Sequence, residues 1–139
     1  MATVLIVDDY APNHRLMRFV LEHHGYAVVT ASDGQQALDC LANTPVDLVL
    51  TDLTMPKMDG MALTHAIRAD ARIAHIPIII VTASTREQDY IHANGVGADA
   101  YLTKPVDSTD LTQAVSLMIA RGTAPGHIPT TTVPQQDIV

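Results

Sequence analysis

Five side chains of the kinds that handle phosphate and hard cations stand at the ends of apolar runs far apart in the sequence. Asp8 and Asp9 close "TVLIVDD", Asp52 closes "DLVLTD", Thr82 closes "PIIIVT" and Lys104 follows "AYLT". Three carboxylates brought together repel one another and need a cation. Mg²⁺ suits them, because it takes oxygen ligands in near-octahedral geometry and keeps several waters. One acid left free can attack phosphorus, as carboxylate nucleophiles do when they form aspartyl phosphates. The group in transfer spreads charge over three oxygens, and so needs the metal, a cation and a hydroxyl or amide donor around it. Phosphoryl transfer to a carboxylate is the chemistry this set serves.

Each of these residues also has an ordinary reading. Asp8 or Asp9 can cap the helix that follows. Asp52 can be a turn residue ahead of Pro56, and Thr82 or Ser84 can cap a helix. Lys104 can be a surface lysine, and Asp59-Gly60 a plain turn. All of these would have to hold independently, whereas one shared edge accounts for them together.

Such an edge needs parallel strands. Runs of strand length recur at 3–7, 27–31, 47–51, 77–82 and 100–103, most of them continuously apolar, as in strands covered on both faces. Helical patterns lie between them. "PNHRLMRFVLEHHG" sets Leu16, Phe19, Val20 and His23 on one face and stops at Gly25. "SDGQQALDCLANTP" opens with Ser32 and Gln35 at capping-box spacing. "DGMALTHAIRAD" follows Asp59, "REQDYIHANG" is the shortest candidate, and "DSTDLTQAVSLMIARG" runs from Asp107 to near Gly122. Strand–helix alternation repeated five times predicts an α/β domain with a doubly wound five-stranded parallel sheet and five helices. Right-handed crossovers bring all strand C-termini to one edge, where ligand sites form. In the strand order 2-1-3-4-5, Thr82 lies one strand from Asp52 and Lys104 two, roughly 10 Å away at the usual spacing. A short hydroxyl serves the nearer position, and the farther one needs a long cationic arm.

The bulk composition limits the alternatives. The chain has 139 residues, 47% of them apolar, which is enough for one domain with a core. Eight Lys and Arg against 15 Asp and Glu give a net charge of −7, which disfavours a nucleic-acid or anionic-membrane surface. A lone Cys40 forms no intrachain disulfide, and no CxxC or His-rich spacing suggests a structural zinc site. "MATVLIVDD" lacks the basic start of a signal peptide, and the run around "IPIIIVTA" is too short to span a bilayer. A soluble, cytoplasmic protein is the expectation. Residues 122–139 hold three of the eight prolines and no apolar periodicity, so the expected domain is 1–121, followed by a disordered tail or linker at 122–139.

"LIVDD", "DLTMPKMDG", "VTAS" and "AYLTKP", in that order, resemble the receiver domains of two-component response regulators over about residues 2 to 121. The resemblance implies a flavodoxin-like fold, and the strand order 2-1-3-4-5 used above is carried over from it as well as argued from the chain. It implies that Asp52 is the phosphoacceptor, and that Asp8, Asp9, Asp52 and the backbone carbonyl of Thr54 hold Mg²⁺, with Mn²⁺ as a possible substitute. It implies that Thr82 and Lys104 contact the phosphoryl oxygens, that Pro105 follows a cis peptide bond, and that Tyr101 is a rotating switch residue. Thr54 and Ser84 occupy positions that tune dephosphorylation in the family. The implied donor is a histidine kinase or a phosphotransfer protein, and the implied output is a downstream protein. No direct nucleic-acid or membrane binding is expected, and the chain is expected to be a monomer or a weak phosphorylation-dependent dimer. Tyr101 is expected to rotate inward when Thr82 moves toward a phosphoryl group.

Two other functions remain open on the sequence. An aspartate-nucleophile phosphatase would turn over external substrates, whereas a receiver keeps one phosphate per chain. A constitutive scaffold would show no Mg²⁺-dependent labelling. The chain can also be the receiver fragment of a larger regulator or hybrid kinase. "GVGADA" matches a dinucleotide-binding pattern but follows a helix and precedes a strand, the reverse of the required context.

Overall fold

The computed structural model describes residues 1–55 and 57–121. The tail expected at 122–139 lies outside the described residues. Five strands alternate with five helices: β1 Thr3–Val7, α1 Ala11–His23, β2 Ala27–Ala31, α2 Gly34–Asn43, β3 Leu48–Thr51, α3 Gly60–Ala69, β4 Ile78–Thr82, α4 Glu87–Val96, β5 Ala100–Thr103 and α5 Ser108–Arg121. The strands form one sheet in the order β2-β1-β3-β4-β5, and every pairing is parallel.

The continuous apolar runs have a direct cause. Side chains alternate between the two faces of a strand, and here both faces are covered. Leu5, Val7, Val49, Ile78 and Ile80 join one core, with Leu41, Leu63 and Ile67 from α2 and α3. Val4, Ile6, Leu48, Leu50, Ile79 and Val81 join the other, with Leu21, Leu111 and Val115 from α1 and α5. Burial of each such side chain contributes about 1.5–3 kcal/mol, so both faces are strongly specified.

α1 departs from the expected register. Met17 and Leu21 are its buried residues, with Val20 packed beside them, while Leu16 is 64% and Phe19 71% exposed. Two apolar stripes overlap on this helix. The sheet selects the one through positions 17, 20 and 21, which also satisfies helical spacing. His24, not Gly25, is the C-cap, and Gly25 follows it at φ +90, in the left-handed region that glycine favours.

The start of α2 is shifted by one residue. Asp33, not Ser32, is the N-cap. It accepts from the Gln36 backbone N–H at 2.9 Å, and Gln36 Oε1 accepts from the Ser32 N–H at 2.9 Å. Ser32 and Gln35 have the right spacing, but the carboxylate is the stronger acceptor and takes the cap. Asp59 caps α3 by accepting from the Ala62 N–H, and α4 ends on Gly97 at φ 105.

Candidate functional site

The register of the sheet sets the acids side by side. Val7 pairs with Thr51, the Asp52 N–H donates to the Val7 carbonyl at 3.0 Å, and the Asp8 N–H donates to the Ala31 carbonyl at 3.1 Å. Asp8 and Asp52 therefore leave the sheet as neighbours. Carboxylate oxygens of Asp8, Asp9 and Asp52 lie within 4.8 Å of one another. Asp8 is buried, Asp52 half-buried and Asp9 exposed, so the cluster opens to solvent on one side.

Lys104 reaches this cluster from β5. Its backbone N–H donates to the Thr82 carbonyl at 2.7 Å, and the Lys104–Pro105 peptide is cis, as the resemblance implied. Its Nζ donates to Asp8 Oδ2 at 2.9 Å and to Asp52 Oδ2 at 3.0 Å. Burial works to lower the pKa of the ammonium, but the hydrogen bonds to Asp8 and Asp52 and their charge outweigh it, and the net shift is upward. Lys104 is therefore fully charged at neutral pH. Three carboxylates facing one ammonium leave uncompensated negative charge among hard oxygen donors. That donor set fits a hard divalent cation and offers no soft ligand.

The remaining expected residues take distinct places. Thr82 ends β4, is 3% exposed, and accepts from the Ser84 N–H through Oγ1 at 3.3 Å, so its own O–H proton is left to donate elsewhere. Thr54 lies exposed two residues beyond Asp52. Tyr101, the expected switch residue, lies on β5 with its ring enclosed. It is 1% exposed, its hydroxyl donates to the Ser84 carbonyl at 3.3 Å, and its ring stands edge-on to Tyr90 at 5.6 Å. Burial raises the Tyr101 hydroxyl pKa above its usual value, so it remains a donor.

Sequence reasoning missed three supports of the site. Asn13 Nδ2 donates to Asp8 Oδ2 at 3.1 Å. Gly60 lies against the loop after β3 so closely that a Cβ there would sit 2.1 Å from the Asp52 carbonyl oxygen, and its N–H donates to the Leu53 carbonyl at 2.8 Å. The Asp-Gly pair reads as a turn signal, but the second reason for glycine appears only once the loop folds back. Gly34 donates to the Met58 carbonyl at 3.2 Å, which ties the same loop to the start of α2.

Comparison with known proteins gives a consistent result. The family described as "Response regulator receiver domain" matches residues 4–116. Protein PilH of Pseudomonas aeruginosa is 36% identical over 120 residues, covering 86% of this chain and 99% of PilH. The phosphate regulon transcriptional regulatory protein PhoB of the same organism is 36% identical over 124 residues, and this chain spans 54% of its length. Among solved structures, the chemotaxis response regulator CheY4 of Vibrio cholerae superimposes with a TM-score of 0.79 at 31% identity, covering 84% of this chain and 98% of that one.

Proposed function

The chain belongs to the response regulator receiver family of two-component signalling, and from that premise we propose that Asp52 is its phosphoacceptor. The observation that carries this is the position of the Lys104 ammonium, 3.0 Å from Asp52 and 2.9 Å from Asp8 beside a third carboxylate. Receivers take their phosphoryl group from histidine kinases or phosphotransfer proteins, so the donor is a phosphohistidine. An Asp52 carboxylate oxygen attacks phosphorus and forms the new P–O bond. The P–N bond breaks, and its electron pair stays on the imidazole nitrogen, which takes up a proton from solvent.

Asp8, Asp9, Asp52 and the Thr54 carbonyl are proposed to hold Mg²⁺, which Mn²⁺ can replace. When bound, it neutralises charge on the acids and on the phosphoryl oxygens. Lys104 turns from the Asp52 carboxylate to a phosphoryl oxygen, and Thr82 donates its hydroxyl to another. The product keeps one phosphate per chain, and no turnover of external substrates is proposed. The −7 net charge supports a protein as the downstream partner rather than nucleic acid, with the chain as a monomer or a weak phosphorylation-dependent dimer. No helix among the described residues is long and apolar enough to cross a membrane. A cytoplasmic location is proposed with that reading. The folding unit is proposed as residues 1–121, because 122–139 offer little apolar surface to bury. Truncation after Gly122 should then leave the thermal midpoint unchanged.

Intact mass after incubation with a small acyl phosphate tests the central reading. One phosphate should be added with Mg²⁺ and none without it, and Asp52→Asn should remain unlabelled. Equal labelling of Asp52→Asn would move the acceptor to another acid, and sustained phosphate release would favour the phosphatase.

A further inference from the structure

We infer that Asn13 is a positioning residue of the cation site, acting through Asp8. The inference rests on the proposed reading of Asp8, Asp9 and Asp52 as the cation ligands. Asp8 is 1% exposed, and its carboxylate is held from three directions. Oδ1 accepts from the Tyr10 N–H at 2.9 Å, and Oδ2 accepts from Asn13 Nδ2 at 3.1 Å and from Lys104 Nζ at 2.9 Å. The Tyr10 contact belongs to the turn that leads into α1. The other two come from side chains, and Lys104 divides its ammonium between Asp8 and Asp52. Once Lys104 turns to a phosphoryl oxygen, Asn13 is the side chain that still holds Oδ2.

Local helix physics does not account for the residue type. Asn13 is the third residue of α1, following Pro12, and the Tyr10 N-cap has no side-chain cap hydrogen bond. Asparagine is a weak helix former, and an acid at that position would favour the helix dipole. The side-chain amide is used instead on Asp8. Pro12 fixes the backbone just ahead of it, which limits where the amide can point. A carboxylate oxygen has two lone pairs. Asn13 and Lys104 occupy both on Oδ2, which leaves the open lone pair of Asp8 on Oδ1, and Asn13 holds the carboxylate against rotation about its Cβ–Cγ bond.

Outer partners of this kind typically change metal affinity by about 10–100-fold when removed. Mn²⁺ titration followed by the electron paramagnetic resonance of the free ion tests this on the full chain. Asn13→Ala and Asn13→Leu remove the donor, and the leucine variant keeps the volume. Both should raise the Mn²⁺ Kd by about tenfold, while any fall in the metal-free thermal midpoint leaves both variants folded at the titration temperature. The ¹³C carboxyl resonance of Asp8 should move while that of Asp9 stays. Phosphorylation by an acyl phosphate should slow at subsaturating Mg²⁺ and recover at saturation. Parental Mn²⁺ affinity in both folded variants would overturn the role of Asn13 and leave the cation site standing. Failure of the parent itself to bind Mn²⁺ would overturn the site and this inference together.

Discussion

The Lys104 ammonium donates to the Asp52 carboxylate at 3.0 Å across a separation of 52 positions in sequence. The contact crosses β4, and it pairs the charge of the proposed phosphoacceptor. Lys104→Met removes that charge and leaves the acids facing one another. The variant should lose about 1–3 kcal/mol of stability at neutral pH without metal, and Mg²⁺ should restore part of it. The pH dependence has a definite sign. The folded pKa of Lys104 is raised, so its contribution is fully present below the unfolded value near about 10.4. It is lost as pH rises through the higher folded value. The stability gap between parent and variant, measured by urea unfolding, should be flat from neutral pH to about pH 10 and close above it. A gap that closes near neutral pH would mean Lys104 is not the group involved.

Gly60→Ala should disturb both stability and chemistry. The added Cβ would meet the Asp52 carbonyl oxygen at 2.1 Å, and that atom is backbone, also bonded by the Thr51 hydroxyl at 2.9 Å. The loop must shift, at a cost of about 1–3 kcal/mol typical of overpacking. Because the loop carries Leu53, whose N–H donates to Asp52 Oδ1 at 2.7 Å, the acyl-phosphate labelling rate should fall as well. A variant with parental midpoint and labelling rate would show that the loop yields freely.

The strands and the acid edge were legible in the sequence because strands buried on both faces give unbroken apolar runs, and the proposed site residues follow them directly. Helix faces were less legible. Leu16 and Phe19 share a stripe as regular as that of Met17, Val20 and Leu21, and only the direction in which α1 crosses the sheet decides between them. Gly60 and Gly34 act through the loop after β3, which folds back on them, and neither residue type nor spacing encodes that course; Asn13 reaches Asp8 only five positions away, but its residue type alone does not say where the amide points. Tyr101 was correctly placed on β5, but its rotamer depends on Tyr90 and on the Ser84 carbonyl.

Arg68 and Asp99 form a second site of consequence, away from the acid edge. Arg68 Nη2 lies 2.6 Å from Asp99 Oδ2, and the same guanidinium donates to the carbonyls of Gly97, Ala74 and Ile76. Asp99 Oδ2 also accepts from the Ile78 N–H at 2.8 Å, so the pair ties the end of α3 to the starts of β4 and β5. Burial lowers the pKa of Arg68 against the pull of Asp99, yet the guanidinium remains charged. Arg68→Met should cost about 3 kcal/mol, as breaking a buried pair does, while the Mg²⁺ dependence of labelling stays parental. Thermal unfolding and labelling measured together check both halves, and loss of labelling in a folded variant would connect this pair to the site.

Thr82 and Tyr101 meet on opposite sides of one residue. Thr82 Oγ1 accepts from the Ser84 N–H, and the Tyr101 hydroxyl donates to the Ser84 carbonyl, each at 3.3 Å. Ser84 Oγ in turn donates to Asp89 on α4 at 2.5 Å, so Ser84 links the strand end, the phenol and the helix. A phosphoryl group on Asp52 gives the Thr82 hydroxyl a new acceptor. As Thr82 moves toward it, the Ser84 N–H loses its partner, and the segment carrying the Ser84 carbonyl is free to shift. With the Tyr101 ring enclosed, the expected motion includes Ser84 and the start of α4, which pack around it. Moving such an equilibrium from 1:99 to 99:1 takes about 5.5 kcal/mol, within reach of a few charge-assisted hydrogen bonds at about 1.5–3 kcal/mol each. Thr82→Ala should therefore accept phosphate, at a reduced rate, and lose the chemical-shift changes at Ser84, Tyr90 and Tyr101 that a phosphoryl mimic produces in the parent. A full response in Thr82→Ala would send the signal through the loop after Asp52 instead, where Gly34 and Met58 join it to α2.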